Sequence, residues 1–271
     1  MKLLFKLAVF TVCIMACFSL IHVYAASERI PDAKRIVEIG QEVIKLDGAE
    51  YIANLIIIDS KGRKRIRKVA QISKLFDNGK IEKRLIRFLA PADVKGIGLL
   101  SFDYEKKDDD MWFYMPALRK TRRIVSSEKS KNFMGSEFSY GDITPPNIDS
   151  FNYKMLGQEE IAGTPCWKID MVPINDDIAD EYGFSKKTCF YGQADYVIRK
   201  AVYFDLDGSL HKEMTVKSIK EVDPQKHRYR PMYMIMENKQ NGRKSIQEIE
   251  NVKFNPDVND EYFTTRYLRR E

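Results

Sequence analysis

The stretch "MWFYMPALRKTRRI", Met111 to Ile124, decides how the rest of the chain is read. Successive side chains of a strand point to opposite faces. Met111, Phe113 and Met115 therefore share one face, and Trp112 and Tyr114 the other. Both faces are apolar, so this strand is expected to be covered on both sides. Pro116-Ala117 marks a turn, and a second strand begins in the basic half. The aromatics and the arginines then lie on neighbouring strands. That is an alternative to one aromatic and basic surface for gripping a nucleic acid.

The same strand-turn-strand grammar extends in both directions. Upstream are "EYIANLIIID", "GRKRIRKVAQISKLF", "KIEKRLIRFLA" and "IGLLSFDYE", with Ser60–Gly62 and Asp77–Gly79 as turn signals. In "KIEKRLIRFLA", Ile81, Leu85 and Leu89 read as one face. Downstream, strands run from "NYKMLGQEEI" to "RKSIQEIENVKF", with turns at Asp207-Gly208 and Asn241-Gly242. About a dozen strands follow one another without long intervening helices, which argues for antiparallel rather than parallel pairing. "PDAKRIVEIGQEVIKL" reads as a helix before them, and "NDEYFTTRYLRR" as a short one after them. The expected fold is mainly β: a strongly curved antiparallel sheet, a half-barrel, with a few helices covering the concave side.

The first 25 residues read as a signal peptide. Lys2 and Lys6 precede an apolar run from Leu7 to Tyr24, and Val23-Tyr24-Ala25 supplies small residues for cleavage after Ala25. An uncleaved anchor and lipidation at Cys17 are the competing readings. Residues 26–271 form the expected single domain, in the periplasm. Without Lys2 and Lys6 it carries 43 Lys and Arg against 39 Asp and Glu, a net charge of +4. That is mild for a nucleic-acid binder, and an exported protein meets little nucleic acid. Cys166 and Cys189 remain after cleavage. A hairpin centred between Asp177 and Ile178 sets them opposite each other, as a disulfide requires. Two thiols packed as small apolar residues are the alternative.

Catalytic signals are weak. His211 falls within a strand and His227 in a polar turn, with no motif around either. Asp108-Asp109-Asp110 lacks the spacing of a calcium loop and reads as a solvated turn. No metal or cofactor is expected. Two apolar features remain. Met232, Met234 and Met236 share a strand face, with Met234 opposite Ile249 if the Asn241-Gly242 turn sets the register; plain core is the competing reading. Ser126 to Asn147 lacks strand alternation yet carries Phe133, Met134, Phe138 and Tyr140. A loop of that length and composition is expected to fold over something as a flap, with a helical turn near Ser136–Gly141.

The central block resembles the LolA-like outer-membrane lipoprotein-sorting proteins. The shared pattern falls on Trp112, Tyr114, Pro116, Arg122, Arg123, Ile124, Phe133, Met134, Gly135, Ser136, Phe138, Tyr140 and Asp142. "KGIGLLSFDYE" and "AGTPCWKIDMVP" fit as well. The resemblance implies an apolar pocket between the curved sheet and its helices. It also implies a monomeric carrier of lipid or lipoprotein acyl chains between inner and outer membrane, in a branch linked to resistance-nodulation-type exporters. An inner-membrane exporter and an outer-membrane acceptor are the implied partners. Trp112, Tyr114, Phe133, Met134, Phe138, Met232, Met234 and Met236 are expected to line the pocket. Arg119, Arg122 and Arg123 are expected at its rim, for head groups or a partner. A periplasmic sensor or adaptor that transports no lipid is the second reading, and a hydrolase with a dispersed site the third.

Overall fold

A computed structural model of the protein describes residues 31–270. The signal-peptide and Cys17 readings lie outside the described residues. Thirteen strands form one sheet: β1 (Gly48–Ile58), β2 (Lys64–Phe76), β3 (Ile81–Ala90), β4 (Gly98–Tyr104), β5 (Asp110–Met115), β6 (Lys120–Ile124), β7 (Phe151–Ile161), β8 (Thr164–Pro173), β9 (Lys186–Gly192), β10 (Ile198–Phe204), β11 (Leu210–Asp223), β12 (Arg228–Asn238) and β13 (Lys244–Phe254). Their order is β6-β5-β4-β3-β2-β1-β13-β12-β11-β10-β9-β8-β7. Two meanders, β1 to β6 and β7 to β13, are joined by the antiparallel β1–β13 pair.

The sheet stays open, with β6 and β7 at its two edges. It is strongly curved nonetheless. Arg84 and Ile86 of β3 and Met171 of β8 line one cavity. Those strands are eight places apart, roughly 38 Å in a flat sheet. Only a curled sheet brings them together, and sheets of more than about ten strands tend to curl.

Three α-helices occur among the described residues: α1 (Ala33–Glu42), α2 (Asp176–Tyr182) and α3 (Thr265–Leu268). Asp32 caps α1 through the Arg35 amide, and Ala33, Ile36, Val37 and Gly40 form its buried stripe. The helix lies on the concave side, close against β9. A Cβ on Gly40 would come within 2.6 Å of the Tyr191 ring, so only glycine permits this approach. The main core fills the concavity. A second cluster covers the other face, where Val258, Phe263 and Leu268 pack on Leu85, Leu100 and Tyr114. The expected helix at the C-terminal end is therefore present, but it backs the convex side. The expectation that the Met111–Met115 strand is covered on both faces holds.

Two registers differ from expectation. Met234 pairs with Gln247, not Ile249. That two-residue shift leaves every side chain on its expected face. Cys166 pairs with Gly192, and Cys189 with Ile169. This three-residue shift is odd, so it sends the cysteines to opposite faces of the sheet. The intervening segment is not a simple loop: Asn175 caps α2, and Gly183 ends it in a left-handed conformation. The Cys166–Cys189 disulfide is therefore corrected to two buried free thiols. Peptide mapping without reduction should find both cysteines alkylated by a reagent added in denaturant and neither by the same reagent added to native protein. A crosslinked Cys166–Cys189 peptide would contradict the register.

Candidate functional site

The chain leaves β6 at one edge of the sheet and re-enters at β7 on the other, so residues 125–150 must cross the concave opening. This strap contains 3-10 turns at Ser126–Glu128, Phe133–Gly135, Tyr140–Asp142 and Ile148–Ser150. The expected helical turn is the third of these. Met134 and Gly135 adopt left-handed backbone, with φ of 51° and 72°. They reverse the chain so that the Phe133 amide donates to the Phe138 carbonyl at 2.7 Å. The reversal projects Glu137 at the floor of the opposite meander.

Glu137 is fully buried. Its carboxylate meets Arg243 Nε at 3.0 Å and accepts from Asn238 Nδ2 at 2.9 Å. Its amide donates to Ser245 Oγ at 2.8 Å, and its carbonyl accepts from Lys212 Nζ at 3.0 Å. β11, β12 and β13 thus all hold this one strap residue.

The strap is tied to the first meander, and to α2, through buried charge. Arg84 of β3 donates to the Ile143 carbonyl and pairs with Glu82 at 3.0 Å and Asp103 at 3.4 Å. Lys129 of the strap meets Glu181 at 2.7 Å and Asp109 at 3.6 Å, and Thr144 Oγ1 donates to Asp109 at 3.5 Å. Asp109 was expected in a solvated turn; the strap's lysine and threonine draw it into the interior. Burial works against charge on Arg84, but Glu82 and Asp103 more than offset it and raise its pKa further. Burial pushes the Asp103 carboxyl up to about 7, with Arg84 pulling it back and Glu82 and Asp109 adding to the rise. Burial likewise raises Asp109.

Between strap, α1 and sheet lies a cavity of about 250 Å³. Its walls are mostly apolar: Val37 from α1, Ala53 and Leu55 from β1, Ile86, Met171, Ile198 and Met214 from other strands. Phe133, Phe138, Ile143 and Pro145-Pro146 of the strap form its roof. Polar groups also reach it, including Gln71, Arg84, Asp142, Lys187, Tyr203 and Arg230.

The structure places the residues expected to line a pocket in different surroundings. Phe133, Phe138 and Met234 line the cavity. Met134 and Met232 pack against the core beside it without lining it, and Met236 is wholly buried there. Trp112 and Tyr114 are a correction. They face the convex side, in the cluster with Phe263 and Leu268, and Trp112 packs edge-on to Phe102 at 5.0 Å. Phe113, one residue between them, faces the main core instead. The arginine rim is corrected too. Arg122 pairs with Glu128 at 2.8 Å, Arg123 pairs with Asp110, and Arg119 is exposed on the left-handed residue after the Pro116 turn. None of the three lines the cavity. The polar groups that do were missed. For Arg84 a signal existed: Glu82, Arg84, Ile86 and Phe88 alternate on one face of β3, so two charges share a face with two large apolar residues.

Two outcomes test this construction. A carboxyl whose pKa rises from 3.8 to about 7 on folding binds its proton more readily when folded. Its contribution is fully present below the unfolded value and is lost as pH rises through about 7. Urea unfolding should therefore show Asp103→Asn gaining stability relative to wild type between pH 5 and pH 8; a pH-independent difference would refute the buried ionisation. Glu137→Ala should lower the unfolding free energy by about 1–3 kcal/mol, because Asn238 and Arg243 lose the carboxylate they meet. Amide exchange across residues 133–143 should accelerate in that variant, and unaltered exchange would mean that Glu137 does not hold the strap.

A family model described as "Uncharacterized protein" matches residues 80–270. No curated protein matches the chain. Among solved structures, the chain is similar to a domain described as an outer membrane lipoprotein-sorting protein from Vibrio parahaemolyticus. That match has 26% identity and a TM-score of 0.78, and covers 88% of this chain and 100% of the other. It is similar to a DUF1329 family protein from Desulfovibrio piger at 26% identity and a TM-score of 0.79, over 87% and 97% of the two chains. A LolA superfamily protein from Nitrosomonas europaea shares the fold at 19% identity and a TM-score of 0.67, over 88% and 99%. With the family model covering the chain from β3 to α3, the strap included, the chain belongs to the LolA-like outer-membrane lipoprotein-sorting protein family.

Proposed function

We propose that the protein is a periplasmic carrier that holds a lipid or lipoprotein acyl chain in the strap-roofed cavity and moves it between inner and outer membrane. The observation that carries this reading is the cavity itself: about 250 Å³, mostly apolar, on the concave side of an open sheet. Each methylene transferred into such a space contributes about 0.8 kcal/mol, so one chain of ordinary length is firmly held. The volume lies just below the roughly 300–1,000 Å³ of common ligand pockets. It suits one chain at rest, and a lipoprotein with several acyl chains requires the strap to move. Binding rather than catalysis is the favoured role, since neither His211 nor His227 lines the cavity and His227 is occupied by Glu221 at 3.0 Å. The partners in this reading are the inner-membrane protein that loads the carrier and the outer-membrane acceptor that unloads it.

Native mass spectrometry of protein purified gently from its own periplasm should show a lipid adduct. Ala53→Trp, which fills the cavity from β1, should weaken binding of a fluorescent fatty-acid probe at least tenfold. Lipid-free protein that also ignores the probe would overturn the carrier reading, and full affinity in the filled variant would move the ligand to another surface.

A further inference from the structure

The cavity is not uniformly apolar, and its charge is unbalanced. Three cationic side chains reach it: Arg84, Lys187 and Arg230. Arg84 is neutralised by Glu82 and Asp103. The other two have no ion-pair partner among the described residues. Arg230 of β12 lies 5.7 Å from the Tyr51 ring centroid, and its Nε and one terminal nitrogen are shielded from solvent without a hydrogen bond. Lys187 of β9 lies 4.5 Å from the Tyr203 ring centroid, between Met171 and Tyr203 on the adjoining strands. One carboxylate lines the cavity beside them, that of Asp142. It is already occupied: one oxygen accepts from Tyr203 Oη at 2.9 Å, the other from the Ser139 amide and hydroxyl at 2.9 Å each.

Buried donors without partners are rare and costly, and charged ones more so. Arg230 has two such nitrogens, and Lys187, half-buried, lines the same cavity without an ion-pair partner among the described residues, so these side chains mark where a ligand's negative charge belongs. We infer that the cavity takes an anionic amphiphile, an acyl chain ending in a carboxylate or phosphate, with Arg230 and Lys187 receiving the anion and the apolar wall receiving the chain. This rests on the carrier reading and narrows its cargo. A neutral chain leaves both cations bare in a drier cavity, and a cationic one is repelled. A guanidinium also binds carboxylate or phosphate through two parallel N–H groups, so Arg230 gives orientation as well as charge.

Titration calorimetry at pH 8 with dodecanoate, dodecyl phosphate, dodecan-1-ol, dodecyltrimethylammonium and inorganic phosphate tests this on the purified full chain. Dodecanoate or dodecyl phosphate should bind at least tenfold tighter than dodecan-1-ol, and dodecyltrimethylammonium weaker still. The tighter of the two anions identifies the head group. In Arg230→Gln/Lys187→Gln, the ratio of anionic to neutral affinity should fall to within about twofold, and Arg230→Lys should keep most of it. Equal affinity for anion and alcohol in the wild type, which needs no variant to fold, would overturn the inference and leave the carrier reading intact. A preference that survives the double substitution would overturn it as well. Inorganic phosphate binding as tightly as dodecyl phosphate would reduce the site to an anion site without a lipid role. No binding by any amphiphile would remove the carrier reading and this inference with it.

Discussion

The chain exits a thirteen-strand sheet at one edge and must re-enter at the other, and most of what is particular to this molecule depends on that constraint. A connection between adjacent strands can be two residues long. One between opposite edges of a curled sheet has to span its mouth. The strap therefore could not be short, and could not avoid covering the concave side. Its apolar residues follow from that position: Phe133 and Phe138 roof a cavity whose walls are the inner faces of both meanders. The sheet needs the strap as much as the strap needs the sheet. Without a roof, the inner apolar faces of the strands would stand open to water.

The strap is fastened mainly by buried polar contacts, which says something about what they are for. Buried ion pairs add little net stability, because desolvation offsets the attraction, yet breaking one from a single side is costly. Arg84 with Glu82 and Asp103, Lys129 with Glu181 and Asp109, and Glu137 with Arg243 all have this character. Apolar contacts alone would let the strap slide over the concave surface. Directional bonds to the Glu137 and Ile143 carbonyls fix where it lies, and so fix the size of the space beneath it.

Much of this was legible in the sequence, and the failures have a common physical origin. Strand period gave the two faces of Met111–Met115 correctly, and the strap announced itself by breaking that period. Period two separates faces without saying which one is inward. Where both are apolar, as here, the sign depends on what packs on each. The Val258–Leu268 segment claims Trp112 and Tyr114, and it lies more than a hundred residues away. Register errors differ in consequence by parity alone: two residues at the methionine strand changed nothing about sidedness, and three at the cysteine strands reversed it. The charges that organise the cavity were hidden for another reason. A lone Arg on a strand usually faces solvent; Arg84 betrays itself only by sharing a face with Ile86 and Phe88, and nothing in the alternation around Arg230 places it at a cavity.

The two fastenings of the strap are unequal, and this bears on how a closed roof can admit anything. At Glu137, backbone amide, backbone carbonyl and both carboxylate oxygens are engaged by three strands of one meander. Releasing that end means exposing a carboxylate and several donors together. At the other end, Ile143 is held by one guanidinium and Thr144 by a 3.5 Å contact, while Pro145 and Pro146 offer no amide hydrogens. Among the described residues, the Pro146 carbonyl is held by Gln41 of α1 alone, at 2.9 Å. Fewer bonds must break there, and each proline restricts its own backbone so that the segment moves as a unit. The strap is thus anchored at Glu137 and lightly held at Ile143–Pro146, where it meets α1. In the proposed carrier, an entry route for a long apolar chain would cost least at that end, between the proline pair and the helix.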